Sequence, residues 1–371
     1  MRWDVFCAVV DNLGDIGVCW RLARQLAAEH GATVRLWVDD LVSFRRLAPG
    51  IDAARDVQTL GVLEVRSWPQ EFPADIEPAD VVVETFGCEL PASYVRSMKE
   101  RSRAPVWINL EYLSAEPWVD RYHALPSPQP PLTKYFFFPG FSERTGGVLK
   151  ERDLDRAREA FQSDADAQRA FLGRLGVPAR EPGEILASLF CYPQAPLAEL
   201  FAAWQSAGGP VTAVAFADTP AAQAMVAAGL GSGTRIGAIA GRIVPFLGQD
   251  DYDRVLWSCD WNFVRGEDSF VRAQWAARPF VWQAYPQQES NHRIKVQTFL
   301  ARYLEDDRAP GLVDLWGAWN GLADRPQLTA AWAACVRDRG RMDRIAARWP
   351  QRLGDPGDLA GNLARFCMER V

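Results

Sequence analysis

Short apolar runs rich in β-branched and aromatic residues alternate with segments of helical spacing along most of this chain, and that alternation admits few folds. Residues 3–10 are such a run, and residues 18–30 follow at helical spacing. Strand-like stretches recur at 33–38, 63–65, 81–83 and 106–110, with helical ones at 41–47 and 93–102 between them. Strands separated by helices pair in parallel and take helices on both faces of the sheet. Residues 126–131 hold four prolines and are expected to form no regular structure. Residues 135–138 read as the last strand of this half, stopped by Pro139 and Gly140, and a helix over 154–175 leads to a linker at 178–182.

The alternation then starts again. Strands are expected at 185–190, 211–216, 235–239, 261–264 and 280–282, with helices at 197–206, 221–228, 252–259 and 269–277. Beyond these the pattern is helical, over 291–303, 312–319, 329–348 and 356–368. The fold class is therefore α/β, with two Rossmann-like doubly wound domains facing a cleft and a set of C-terminal helices. We expect a first domain over 1–176, a second over 177–350, and a C-terminal helix over 351–371 available to pack back on the first. Such sheets bind ligands beyond the C-terminal ends of their strands. Two turns, 11–17 and 265–269, fall at such ends.

Composition narrows the function classes. A formal charge of −6 argues against nucleic acid as a partner. No apolar run is long enough to span a bilayer. Cysteines at 7, 19, 88, 191, 259, 335 and 367 form no CxxC pair and read as reduced thiols of a cytoplasmic protein. The N-terminus runs into a core strand, so no leader is expected. The fifteen tryptophans suggest a well-filled core and some binding surface. Three histidines, at 30, 123 and 292, make no metal motif, although His292 opens a helix after a strand and is placed to border a ligand. Neither GxGxxG nor GxxxxGK[ST] is present, nor a GxSxG elbow.

The turn after the strand at 261–264 reads Arg265-Gly266-Glu267-Asp268-Ser269. A strand, a tight turn and a helix N-terminus offer unpaired amides and a favourable dipole to an anion. Arg265 neutralises a phosphate there, and Ser269 caps the helix or donates to the ligand. Two carboxylates in the same turn suit the hydroxyls of a sugar attached to the phosphates. At the other turn, Asp11 and Asp15 are a base with its orienting partner, or plain helix caps. Gly14 and Gly17 admit a close approach of backbone to ligand. Phe190 and Phe246, at strand ends, sandwich a nucleobase whose polar edge Gln249 reads, or belong to the core. Asp250 and Asp251 read as caps of the next helix rather than metal ligands.

Taken together, the motifs Asp11-Asn12-Leu13-Gly14-Asp15-Ile16-Gly17, Phe190-Cys191-Tyr192, Pro245-Phe246 with Gln249-Asp250-Asp251, Arg265 to Ser269, and Tyr285-Pro286-Gln287 resemble one family over nearly the whole chain. It is the family of bacterial protein-arginine rhamnosyltransferases that modify translation elongation factor P. The resemblance implies a GT-B glycosyltransferase that inverts dTDP-β-L-rhamnose onto an arginine side chain, with no metal and no cofactor beyond that nucleotide sugar. It implies Asp15 as acceptor-side base, Asp11 as its partner on the guanidinium, and Glu267 as a further catalytic carboxylate. It gives the diphosphate and rhamnose to Arg265, Gly266, Glu267, Asp268 and Ser269, with Asn12, Leu13, Gly14 and Asp15 assisting. Phe190 and Phe246 then hold thymine, with Tyr192 and Gln249 in polar contact. Leu13 stands where many relatives carry an aromatic residue, which touches local packing only.

The acceptor would be a folded protein, elongation factor P, for which Glu111, Tyr112 and the 126–131 loop are the docking candidates. Two rivals stand beside this reading. One is a GT-B enzyme using another nucleotide sugar and a glycan or small-molecule acceptor. The other is a nucleotide-sugar binding protein whose carboxylates only cap helices.

Overall fold

The computed structural model describes residues 1–10, 13–285, 291–305, 307–322 and 327–371. They divide into two compact units, the first made of Met1–Arg152 with Leu353–Val371 and the second of Asp153–Arg352.

The first unit begins with β1 (Arg2–Cys7), α1 (Gly14–His30), β2 (Thr33–Val38), α2 (Leu41–Leu47), β3 (Val57–Leu60) and β4 (Leu63–Ser67). It continues with β5 (Val81–Thr85), α3 (Ala92–Glu100), β6 (Val106–Leu110), α4 (Val119–Tyr122), β7 (Pro126–Gln129) and β8 (Leu132–Phe137). Among the described residues these strands form one eight-stranded sheet in the order β3-β4-β2-β1-β5-β6-β8-β7. The pairing is parallel except at the two edges, where β3 and β7 run antiparallel to their neighbours. The proline-rich stretch thus contains a strand where none was expected. It lies at the edge of the sheet, where a missing N–H costs no ladder bond. The helices start where local chemistry stops the preceding loop: Asp40 accepts from Ser43 N at 2.9 Å and so caps α2.

The centre of this sheet is apolar but built around one carboxylate. Phe6, Trp37, Phe72 and Tyr94 pack together with Val82, Met98 and Trp107. Asp4, with no solvent exposure, accepts two bonds of 2.6 Å from Arg35 and one each from Ala79 N, Trp37 Nε1 and Tyr94 Oη. A buried charge paired and bonded so fully is tolerated, whereas removal of one partner would leave it uncompensated.

The second unit opens with α5 (Leu154–Ser163) and α6 (Ala165–Arg174), then β9 (Ile185–Leu189), α7 (Leu197–Ala207), β10 (Val211–Phe216), α8 (Pro220–Ala227), β11 (Arg235–Ile236) and β12 (Ile239–Val244). After these come α9 (Gln249–Ser258), β13 (Trp261–Arg265), α10 (Asp268–Trp275), β14 (Phe280–Gln283), α11 (Asn291–Leu304), α12 (Pro310–Trp319), α13 (Gln327–Arg337) and α14 (Arg339–Gly354). Among the described residues the strands form a six-stranded sheet, β11-β12-β10-β9-β13-β14, parallel but for β11.

Three sequence expectations are corrected here. Residues 235–239 are not one strand, since Gly237 (φ 55) turns the chain between β11 and β12. The true parallel strand, β12, contains Gly241, where a Cβ would stand 2.0 Å from the Leu230 carbonyl oxygen. The expected helix over 154–175 is two helices, because Asp164 accepts from the amides of Asp166 and Ala167 and starts α6 afresh. The chain changes unit at Asp153 rather than at residue 177. Phe161 packs on Trp257, Gln162 Nε2 donates to the carbonyls of Trp257 and Ala276, and Arg158 donates to that of Trp275.

The last element, α15 (Leu359–Met368), belongs to the first unit and packs on α1. Asp358 caps it through Gly361 N and accepts from Gln25 Nε2 of α1 at 3.0 Å. The tryptophans are core residues almost throughout: Trp204, Trp261, Trp316, Trp319 and Trp332 are all fully buried in the second unit. Each contributes about 1.5–3 kcal/mol or more by burial. Only Trp118 is well exposed, so little of the tryptophan content is surface. No helix among the described residues is long and apolar enough to cross a membrane.

Candidate active site

In the first unit β1 has β2 on one side and β5 on the other, so the winding of the sheet reverses beside its C-terminal end. Ligands collect at such a switch point. The residues there come from the segments that follow three adjacent strands, β1, β5 and β6. Asp15 is the second residue of α1 and has no solvent exposure. Its Oδ2 accepts from Val10 N at 2.9 Å and its Oδ1 from the Tyr112 hydroxyl at 3.0 Å. The N-cap of α1 is Leu13, with no side-chain capping bond, so Asp15 is not the cap that its position before a helix suggested. Tyr112 stacks on Phe86, with centroids 4.2 Å apart and planes within 9°. Phe86 holds φ 55, a left-handed conformation uncommon for an aromatic residue. Leu13 is buried and Gly14 opens the helix. Asp11 and Asn12 lie outside the described residues.

The switch point of the second unit lies between β9 and β13. Arg265 ends β13, Gly266 turns the chain at φ 64, and Glu267 is the N-cap of α10. Ser269 does not face outward as a free donor. Its hydroxyl donates to the Arg265 carbonyl and accepts from Arg265 N at 3.2 Å, closing the turn. Trp282 Nε1 donates to the Gly266 carbonyl at 2.9 Å, and buried Asp268 accepts from Gln249 Nε2 at 3.3 Å. The Arg265 guanidinium lies over the rings of Phe190 (4.8 Å) and Tyr192 (4.5 Å). Stacking of this kind uses the face of the guanidinium.

Phe190 and Phe246 do come together, but not as a sandwich. Their centroids are 6.5 Å apart and their planes cross at 63°, so one base cannot lie parallel to both. Phe190 is otherwise enclosed by Phe216 and Tyr252, whereas Phe246 is half-buried. Gln249 is the first residue of α9 and is buried. The N-cap of α9 is Gly248, which leaves Asp250 and Asp251 in the first turn rather than capping it. Burial pushes the Cys191 thiol up to about 12 against the pull of Arg265, so it is no nucleophile at neutral pH. Pro286 to Ser290, part of the expected ligand border, lie outside the described residues.

Neither Phe86 nor Gln283 stands out in the sequence, and Tyr112 reads there only as a docking candidate, although Phe86 and Tyr112 both follow apolar strands. Gln283 also contributes, its Oε1 accepting from Tyr192 N at 2.7 Å.

A family model described as the Elongation-Factor P (EF-P) rhamnosyltransferase EarP matches residues 3–368. The chain belongs to this EarP family. It is 48% identical to the protein-arginine rhamnosyltransferase of Pseudomonas putida, over 98% of each chain. It also matches a solved structure described as the structural basis for EarP-mediated arginine glycosylation of translation elongation factor EF-P. There the identity is 34% and the TM-score 0.68, with 100% of this chain and 99% of that one covered. Acinetobacter baumannii MurG, 12% identical with a TM-score of 0.54 over 99% of both chains, shares the fold alone. This chain is thus an α/β protein of GT-B type.

Proposed function

We propose that this EarP-family chain is a protein-arginine rhamnosyltransferase that moves L-rhamnose from dTDP-β-L-rhamnose to an arginine of elongation factor P, inverting the anomeric centre without a metal. The observation that carries the reading is Asp15: a fully buried carboxylate at the switch point, with one oxygen on a backbone N–H and the other on a tyrosine hydroxyl. A protonated guanidinium is delocalised and a poor nucleophile. A carboxylate that grips it orients one nitrogen and takes its proton as the bond to carbon forms. In the step itself, that nitrogen attacks the anomeric carbon of rhamnose, and the carbon–oxygen bond to the diphosphate breaks. The electron pair leaves with dTDP and the proton goes to Asp15. Attack on the face opposite the leaving group turns the β sugar into an α-rhamnosyl arginine.

Asp11 is assigned beside Asp15 on the guanidinium, and Asn12 beside Leu13 and Gly14 on the donor. Arg265, Gly266 and the first amides of α10 take the diphosphate, in the manner of helix N-termini that bind phosphate without a metal. Glu267 is assigned to the rhamnose hydroxyls and the charge that develops on the sugar ring. Thymine stacks on the half-buried Phe246, beside Phe190, with Tyr192 and Gln249 supplying polar contacts. The cytoplasm is the compartment this implies, in keeping with seven cysteines that are all free thiols.

Intact-mass spectrometry of unmodified elongation factor P, incubated with this protein, dTDP-rhamnose and a chelator, tests the whole reading. One added deoxyhexose on a single arginine is the expected result. An unchanged mass, with a folded protein that still binds dTDP, would overturn the acceptor and send the search to other arginine-bearing or glycan acceptors.

A further inference from the structure

We propose that Tyr112 is the positioning residue for Asp15, and that Phe86 holds Tyr112 in place; this rests on the assignment of Asp15 as the base. Three observations converge on it. The Tyr112 hydroxyl donates to Asp15 Oδ1 at 3.0 Å, while Val10 N holds Oδ2 at 2.9 Å, so both carboxylate oxygens are fixed, one from the segment after β6 and one from the segment after β1. The tyrosine ring in turn lies flat against Phe86, 4.2 Å between centroids. Phe86 keeps φ 55 to present its ring there, a backbone conformation that costs an L residue free energy and persists only where its surroundings demand it.

Asp15 stands in the first turn of α1, the helix that follows β1, while Phe86 and Tyr112 lie just beyond β5 and β6, and the three strands are neighbours in one sheet. A base on a helix first turn would otherwise swing about χ1. A base must lie within hydrogen-bond reach of the proton that it takes, in a fixed geometry. Tyr112 does not contact the reacting atoms in this scheme; it acts through the carboxylate.

The test is steady-state kinetics of Tyr112→Phe with elongation factor P and dTDP-rhamnose. The phenylalanine keeps the stack on Phe86 and loses only the hydroxyl. We expect kcat to fall about tenfold or more, as for loss of a bond to a charged group, with both KM values and dTDP affinity unchanged. In an Asp15→Asn background the same substitution should cause no further loss, because residues acting as one unit are not additive. Phe86→Leu, which keeps the hydroxyl but loosens the ring, should lower kcat by a smaller factor at unchanged KM. An unchanged kcat in folded Tyr112→Phe overturns the proposal, and so does a loss confined to the acceptor KM, which would make Tyr112 a docking contact. Full turnover by Asp15→Asn alone would instead overturn the base assignment beneath it.

Discussion

At the end of β1 the chain turns into α1 with a carboxylate, Asp15, second in the helix, and at the end of β13 it turns into α10 with Arg265 as the last residue of the strand. Both turns open at the switch point of their sheet. Each helix N-terminus carries roughly half a positive charge. In the second unit Arg265 adds to that potential, and Phe190 and Tyr192 support its guanidinium from the ring side. In the first unit a buried carboxylate opposes the same potential and turns the corner toward cations. On the function proposed above, one scaffold feature would serve an anion in one sheet and a guanidinium in the other, with the side chain at the turn deciding which. The lesson is that topology locates a site and local charge selects its ligand.

The strongest way to break this contrast is Asp15→Asn. If the first corner serves the acceptor alone, kcat should fall by about 10²–10⁴-fold, the range for loss of a general base. Affinity for dTDP, measured by calorimetry, should stay the same. Turnover kept in full would remove Asp15 from the chemistry, and a matching loss of dTDP affinity would erase the distinction between the two corners.

Arg265→Ala is the reciprocal experiment, with the next largest effect. It removes the cation from the anion corner and the partner of two aromatic rings. A loss of about 10²–10³-fold in kcat/KM for the nucleotide sugar is expected, the range for removing one preorganised electrostatic group. Acceptor binding should be untouched, as measured by the affinity of the variant for unmodified elongation factor P. A defect in that affinity would show that the two corners do not divide the substrates between them.

These predictions rest on residues that differ in how far the sequence reveals them. The β/α alternation and the positions of both turns follow from periodicity, since buried parallel strands and amphipathic helices leave strong local patterns. Asp15, Arg265, Gly266 and Ser269 stand out for the same reason, being polar or glycine residues just beyond apolar runs. Partnerships do not leave such a mark. Nothing local ties Tyr112 to a carboxylate at position 15, because the contact is made by strands brought together only in the sheet. The crossed planes of Phe190 and Phe246 are likewise set by Phe216 and Tyr252, which pack on Phe190 from other elements. The edge strand β7 was hidden by its prolines, whose effect depends on whether a neighbour needs their N–H. The domain boundary was hidden because α5 precedes the linker at 178–182 yet packs on Trp257, and α6 packs on α5 through Phe171 and Phe161.

Ser269→Ala has the smallest expected effect and sharpens the contrast furthest, because it leaves both charges in place. The Ser269 hydroxyl bonds the Arg265 carbonyl and takes the Arg265 amide, so it ties the first turn of α10 to the end of β13. Gly266 between them, at φ 64, bends the chain but does not hold it. Without the hydroxyl the turn loses about 1 kcal/mol of stability, the usual net value of a hydrogen bond. The amides of α10 should then sample wider orientations about the phosphates. The expected outcome is a lower melting temperature by a few degrees or less, a severalfold weaker affinity for dTDP-rhamnose, and an unchanged KM for elongation factor P. If Ser269 instead donated directly to the donor phosphates, the affinity loss would approach that of Arg265→Ala while the melting temperature of the unliganded protein stayed the same. Differential scanning calorimetry with and without dTDP separates the two, because a turn-closing role lowers stability before any ligand is present.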